Sequence, residues 1–210
     1  MHFVLVHSPV VGPSTWRWVA EELRELGHTS VVPDLREQAE SGDVHAFIAS
    51  AADAATDNAY VLVGHSGAGR LLPAIGASAS QSPKLIVFVD AGLPGGTDGF
   101  LETLRSLAID GVLPKWSQWF GDDVMSLLVH DEQRRVEVEA DQPRIPLTFY
   151  ETTPAPAPIA SAAYVLLSDA YRAEADEAAL RGWPVTELRG THLELVNNPA
   201  AVAAAITTMA

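Results

Sequence analysis

The sequence predicts an α/β fold, a mainly parallel, doubly wound sheet interrupted by one long insertion. Short, unbroken apolar runs such as FVLV at 3–6, YVLV at 60–63 and LIVFV at 85–89 read as strands buried on both faces. Helical segments alternate with these runs, the pattern expected of a parallel sheet covered on both sides. The alternation stops after residue 90 and resumes near 163.

Taken in order, 2–6 is the first strand, followed by a Gly/Pro/Ser-rich loop at 8–14. A helix follows, with Trp16, Val19, Leu23 and Leu26 at helical spacing and Gly27 as its C-cap. Residues 29–32 form a second strand closed by Pro33, 44–56 an Ala-rich helix, and 60–63 a third strand. A helix of small residues spans 67–77, and 84–89 is a fourth strand. Between 91 and 162 Pro and Gly are frequent and helical periodicity is patchy, with Trp116, Trp119 and Phe120 gathered together. The strand 163–167, a helix at 173–180, the strand 184–188 and a helix at 199–209 complete the pattern. Residues 1–93 and 163–210 are therefore expected to form one core, and 94–162 a cap over the carboxyl edge of its sheet, where ligands of such folds bind.

Composition narrows the function. A chain of 210 residues, 48% hydrophobic, is large enough for roughly one domain. A formal net charge of −14 argues against nucleic acid and anionic membrane as partners. Cysteine is absent, which excludes disulfides, thiolate metal sites and cysteine nucleophiles. The chain enters an apolar strand without a signal-like segment, and no apolar run approaches the ~18 residues of a membrane span. A cytoplasmic protein is the expectation. No phosphate-binding loop, metal-ligand cluster or dinucleotide fingerprint is present, so neither cofactor nor metal is expected.

The strongest chemical signal is YVLVGHSGAGRLL at 60–72, which places Ser66 between a strand and a helix of small residues. G-x-S-x-G turns hold a nucleophilic serine in a strained conformation that only small neighbours tolerate, here Gly64, Gly67 and Ala68. The alanine in the last position keeps the requirement for a small side chain. Such a turn sets the N–H of Gly67 beside the reacting carbon and the serine at a helix N-terminus, where developing negative charge is favoured. A serine hydroxyl needs a base. His192, in the loop LRGTHLELVNNP after the last strand, comes to the same sheet edge; His65 is expected to be packed, and His28, His45 and His130 to lie at the surface.

With these residues in view, the chain resembles the α/β-hydrolase fold superfamily, and within it the branch of plant methylesterases and hydroxynitrile lyases with related bacterial hydrolases. HFVLVHSPVVGPSTWRWVAEELRELGHTSVVPDL resembles that branch's opening strand, loop, helix and strand. GHSGAG resembles its nucleophile elbow, LIVFVDAGLPGG the following strand, and GTHLELVNNP its histidine loop, all in family order. The antiparallel hairpin that opens many members has no counterpart here. The resemblance implies Ser66 as nucleophile, His192 as general base and then acid, and the insertion as a cap.

The acid has two candidates. The family usually carries it as G-x-x-D after the strand matching 163–167; here the loop reads Ser168, Asp169, Ala170, Tyr171, which puts Tyr171 in the acid's place and Asp169 out of register. Some members instead carry it at the end of the strand beside the elbow strand, where this chain has Asp90. Asp90 is ranked first and Asp169 second; the other reading of Asp90 is a structural carboxylate bonded to loop N–H groups, and of Asp169 a helix cap. Hydroxynitrile lyases of the branch have a lysine directly after the histidine; Leu193 stands there and disfavours that reaction. The serine at the elbow argues against epoxide hydrolases and dehalogenases, whose nucleophile is a carboxylate.

The expected activity is hydrolysis of a small, mainly apolar carboxylic ester, thioester or lactone through an acyl-enzyme, with Trp116 and Trp119 in the substrate pocket. A catalytically altered, ligand-binding member or a non-hydrolytic acyl-transfer or lyase enzyme is the alternative. The loop His7, Ser8, Pro9, Val10 motivates it: in the family the residue at Pro9 usually supplies an oxyanion N–H, which proline lacks. The Ser8 hydroxyl or the Val10 N–H is the expected substitute.

Overall fold

The computed structural model describes residues 1–55, 59–95, 99–121, 124–152, 154–155 and 157–210. The chain opens with β1 (His2–Val6), α1 (Ser14–Glu25), β2 (Thr29–Val31), α2 (Arg36–Glu40), α3 (Val44–Asp53) and β3 (Tyr60–Ser66). A three-ten turn at Gly67–Leu71 leads into α4 (Leu72–Ser78) and then β4 (Leu85–Ala91). Between β4 and the next strand lie α5 (Gly99–Leu107), α6 (Val124–Leu128), α7 (Glu132–Ala140) and α8 (Thr148–Glu151). The chain closes with β5 (Ala162–Leu166), α9 (Arg172–Leu180), β6 (Val185–Glu187), α10 (Glu194–Asn197) and α11 (Pro199–Met209).

The six strands form one sheet in the order β2-β1-β3-β4-β5-β6, every neighbouring pair parallel. Because side chains alternate along a strand, each apolar run feeds two cores. Val4, Val6, Leu62, Phe88 and Tyr164 pack with α3, α4 and α9 on one face. Phe3, Leu5, Val63, Val87 and Val165 pack with α1 and α11 on the other. Burying a side chain of this size contributes about 1.5–3 kcal/mol, which explains why these runs carry no polar residue until the sheet's carboxyl edge.

Two departures from the sequence expectation bear on that edge. The helix read from Gly67 starts as a three-ten turn and becomes α-helical only at Leu72, where Pro73 sits in the first turn that tolerates it. β3 and β4 run past 63 and 89 to Ser66 and Ala91, so both chemically interesting residues belong to strand ends. The predicted end of the helix at Thr56 lies outside the described residues.

The segment between β4 and β5 is tied back to the first loop. Asp141, just after α7, accepts from the Ser14 N–H at 2.8 Å and from Arg36 Nη1 at 2.7 Å. A carboxylate thus caps the N-terminus of α1, whose own N-cap, Pro13, offers no side-chain hydrogen bond. Trp16 fixes the same helix to the sheet by donating its indole N–H to the Val6 carbonyl at 3.0 Å.

The elbow depends on close backbone approach. A Cβ on Gly69 would lie 2.4 Å from the Gly92 carbonyl oxygen and 2.8 Å from Ala91 Cβ. The three atoms nearest to one on Gly64 all belong to the Leu72 side chain, at 2.6–3.0 Å, rather than to backbone. Gly69→Ala should therefore lower stability by about 1–3 kcal/mol through overpacking and by more than Gly64→Ala. Urea midpoints measure both, and equal midpoints for Gly69→Ala and the parent would contradict this packing.

Candidate active site

Ser66, the last residue of β3, has φ 56° and ψ −124°, and Asp90 in β4 has φ 43°. Positive φ at a residue with a Cβ costs on the order of 1–3 kcal/mol and persists where the surroundings enforce it. Both residues sit on one irregularity: His65 pairs with Val89, Ser66 pairs with Ala91, and Asp90 is the extra residue between. A bulge of this kind re-aims side chains. The Ser66 carbonyl accepts from the Gly92 N–H at 3.1 Å, which locks the two strand ends together.

Asp90 is wholly buried. Its Oδ1 accepts from the backbone N–H groups of Leu167 at 2.8 Å and Ser168 at 3.0 Å. Its Oδ2 accepts from the Ser168 hydroxyl at 2.6 Å and pairs with His192 Nδ1 at 2.7 Å. Burial alone would raise its pKa, but His192 and Ser168 outweigh it together and hold the carboxyl below its ordinary range. Asp169 does something else: its side chain is 96% exposed and lies 3.4 Å from Arg172. It opens the short three-ten turn before α9.

The His192 ring is clamped on several sides. Tyr171 stacks on it with centroids 4.9 Å apart at 8°, His65 lies 4.5 Å away at 32°, and Trp116 lies 6.0 Å away. His65 also donates Nε2–H to the His192 carbonyl at 2.9 Å, leaving its buried Nδ1 without a partner. Burial first, then the neighbouring His192 charge, pushes the pKa of His65 down to about 3. The ring beside the serine is therefore neutral packing. Tyr171 has a second contact, with its hydroxyl 3.3 Å from Ser66 Oγ; burial raises its pKa, so it stays protonated. No hydrogen bond joins Ser66 to His192 in this arrangement. The dual role of Tyr171 escaped sequence reasoning, although its register opposite the family's acid marked the position.

The first loop abuts the elbow. His7 donates Nδ1–H to the Ser8 carbonyl at 2.9 Å and accepts the Leu35 N–H on Nε2 at 3.0 Å, which sets its tautomer. The Val11 N–H also reaches the Ser8 carbonyl, at 3.1 Å, closing a turn over Pro9 and Val10. The Ser8 hydroxyl is buried with no hydrogen-bond partner among the described residues. It points at Gly67, 3.1 Å from where a Cβ there would sit, with Pro9 Cδ at 3.4 Å.

A cavity of about 860 Å³ opens beside Gly67 and Tyr171 and is mainly apolar, with Leu71, Phe100 and Phe149 in its wall. Neither Trp116 nor Trp119 lines it. Trp116 lies beside the His192 ring, while Trp119 donates its indole N–H to the Pro114 carbonyl at 3.0 Å and packs against Phe120.

The model of the alpha/beta hydrolase family matches residues 3–205, and the chain belongs to that family. Solved structures agree on the fold over its whole length. A mutant of polyneuridine aldehyde esterase is similar at TM-score 0.76 and 18% identity, covering 100% of this chain and 98% of that one. An extracellular alpha/beta-hydrolase from a Paenibacillus species, described as sharing structural and functional homology with tobacco salicylic acid binding protein 2, gives 0.71 and 18% over the same shares. A methylesterase from Arabidopsis gives 0.72 and 15%, over 99% of this chain and 98% of that one. No curated protein matches the sequence. No helix among the described residues is long and apolar enough to cross a membrane.

The buried histidines set a pH dependence of stability. His65 and His7 are both held below the ordinary 6.5 by burial, so between pH 6.5 and about 3 the unfolded chain binds protons that the folded chain refuses. Their contribution is complete above 6.5 and is lost as pH falls; Asp90, depressed from 3.8, adds a loss at still lower pH. His65→Gln should shrink the fall in urea midpoint between pH 7 and pH 5. An unchanged fall would contradict a neutral, buried His65.

Proposed function

We propose that the protein is a serine hydrolase that cleaves a small, mainly apolar carboxylic ester, or the chemically equivalent thioester or lactone, through an acyl-enzyme. The observation that carries this reading is the 2.7 Å bond between buried Asp90 and His192, at the sheet edge where Ser66 occupies its strained turn. Asp90 holds the Nδ1–H tautomer, leaving Nε2 as the base, and stabilises the imidazolium when it forms.

In this scheme Ser66 Oγ turns from Tyr171 to His192 as substrate enters, a tightening common in the bound state. Oγ attacks the carbonyl carbon and its proton passes to His192 Nε2. The C–O bond to the leaving alcohol then breaks as Nε2 returns the proton to that oxygen. Water repeats the sequence on the acyl-enzyme and releases the acid. The oxyanion is held by the Gly67 N–H and, in place of the N–H that Pro9 lacks, by the Ser8 hydroxyl. Its lack of a partner among the described residues supports this role. Residues 94–162 act as a cap that keeps the reacting carbonyl out of bulk water.

Stopped-flow hydrolysis of 4-nitrophenyl butyrate tests the scheme. A burst of one nitrophenolate per chain, with fluorophosphonate labelling confined to Ser66, is expected. Ser8→Ala should lower kcat by about 100-fold, the effect of one oxyanion donor, with KM little changed. Absence of both burst and labelling would overturn the hydrolase reading, and an unchanged kcat in Ser8→Ala would remove Ser8 from the oxyanion site.

A further inference from the structure

Among the described residues, one cation in the cavity wall has no anionic partner. Arg70 stands four residues beyond Ser66 in the three-ten turn and lines the cavity. The neighbouring arginines are occupied: Arg105 lies 2.8 Å from Glu102 and 3.7 Å from Glu151, and Arg172 pairs with Glu187 and Asp169. Arg70 forms no salt bridge and no hydrogen bond with any described residue. Its guanidinium is instead laid over Phe100, with the central carbon 4.7 Å from the ring centroid. Its stem packs on the Gly92 backbone, where a Cβ would lie 2.9 Å from Nε.

The same ring leads to a second idle donor. Phe100 meets Tyr150 edge-on at 5.8 Å. The Tyr150 hydroxyl makes no hydrogen bond with a described residue, and Tyr150 lines the same cavity. Burial raises its pKa, so it remains a donor, and the charge of Arg70 acts on it and on Tyr171. A guanidinium with five N–H groups in a fixed fork, stacked on an aromatic face, is suited to a planar carboxylate. Among the described residues of the wall, Glu102 is taken by Arg105, and Glu174 is the other acid, without a bond to Arg70.

We propose that Arg70, assisted by Tyr150, binds an ionised carboxylate of the substrate, so that the enzyme's esters are apolar chains ending in an acid group, as in monoesters of dicarboxylic acids. This rests on the hydrolase reading above and narrows its substrate class. The Phe100 face and the apolar wall accommodate the chain between the scissile carbonyl and the acid terminus.

The test compares mono(4-nitrophenyl) adipate, which carries the carboxylate, with neutral 4-nitrophenyl hexanoate. Arg70→Gln should lower kcat/KM on the adipate ester by ~10- to 100-fold, the effect of losing a hydrogen-bonded ion pair, and by at least about tenfold more than on the hexanoate. Tyr150→Phe should show the same preference at smaller amplitude. Glu174→Gln should shift selectivity the other way, since it removes the opposing charge. Equal losses on the two esters in Arg70→Gln would overturn the proposal while leaving hydrolysis intact. Calorimetric binding of adipate to Ser66→Ala needs no turnover: binding that disappears when Arg70→Gln is added supports the anion site even if neither ester is cleaved, and no binding overturns it.

Discussion

The bond between Asp90 and His192 organises the carboxyl edge of the sheet. A carboxylate removed from water is costly unless hydrogen bonds replace its hydration. Here four donors do so: two backbone N–H groups from the end of β5, the Ser168 hydroxyl and the His192 ring. These donors come from β5 and from the loop after β6, so satisfying Asp90 brings both to the end of β4. The extra residue that aims Asp90 inward also offsets the β3–β4 register. The strain at Ser66 and the direction of Asp90 both belong to one irregularity, and the hydrogen bond between Asp90 and His192 is made at that point.

Histidine placement follows from this frame. His192 receives its charge partner on one edge and rings on its faces, Tyr171 stacked at 4.9 Å and His65 at 4.5 Å. The two neighbours differ in kind. His65 is neutral and holds the His192 backbone, whereas Tyr171 links the imidazole face to the serine hydroxyl. Tyr171 occupies the position where relatives of the branch usually carry the acid. Tyr171 there stacks on His192, while Asp169, two residues earlier, is exposed to solvent.

Much of this was legible in the sequence because the relevant signals are local. Apolar runs at 3–6, 60–63 and 85–89 marked the central strands, since burial on both faces leaves no place for polar residues. Small residues around Ser66 marked the elbow, and the missing N–H of Pro9 directed attention to Ser8. What sequence left open depends on three-dimensional register. Telling Asp90 from Asp169 requires knowing that the β3–β4 irregularity carries Asp90 to His192, whereas Asp169 lies exposed before α9. The absence of Trp116 and Trp119 from the cavity wall has a similar origin: the aromatics at 116–120 pack on one another, on the core and, for Trp116, beside His192, which spacing alone does not separate from ligand contact. Arg70 carried no pattern at all, because an arginine near a helix start is ordinary until its neighbours are seen to leave it unpaired.

The central claim is that ionised Asp90 holds the Nδ1 proton of His192. Proton NMR in the far-downfield region, with a histidine ¹⁵N label to assign the signal, measures that proton directly. A downfield Nδ1–H resonance from His192 that is lost or moved strongly upfield in Asp90→Asn, and kept in Asp169→Asn, is the predicted result. A resonance that survives Asp90→Asn and disappears in Asp169→Asn would contradict it.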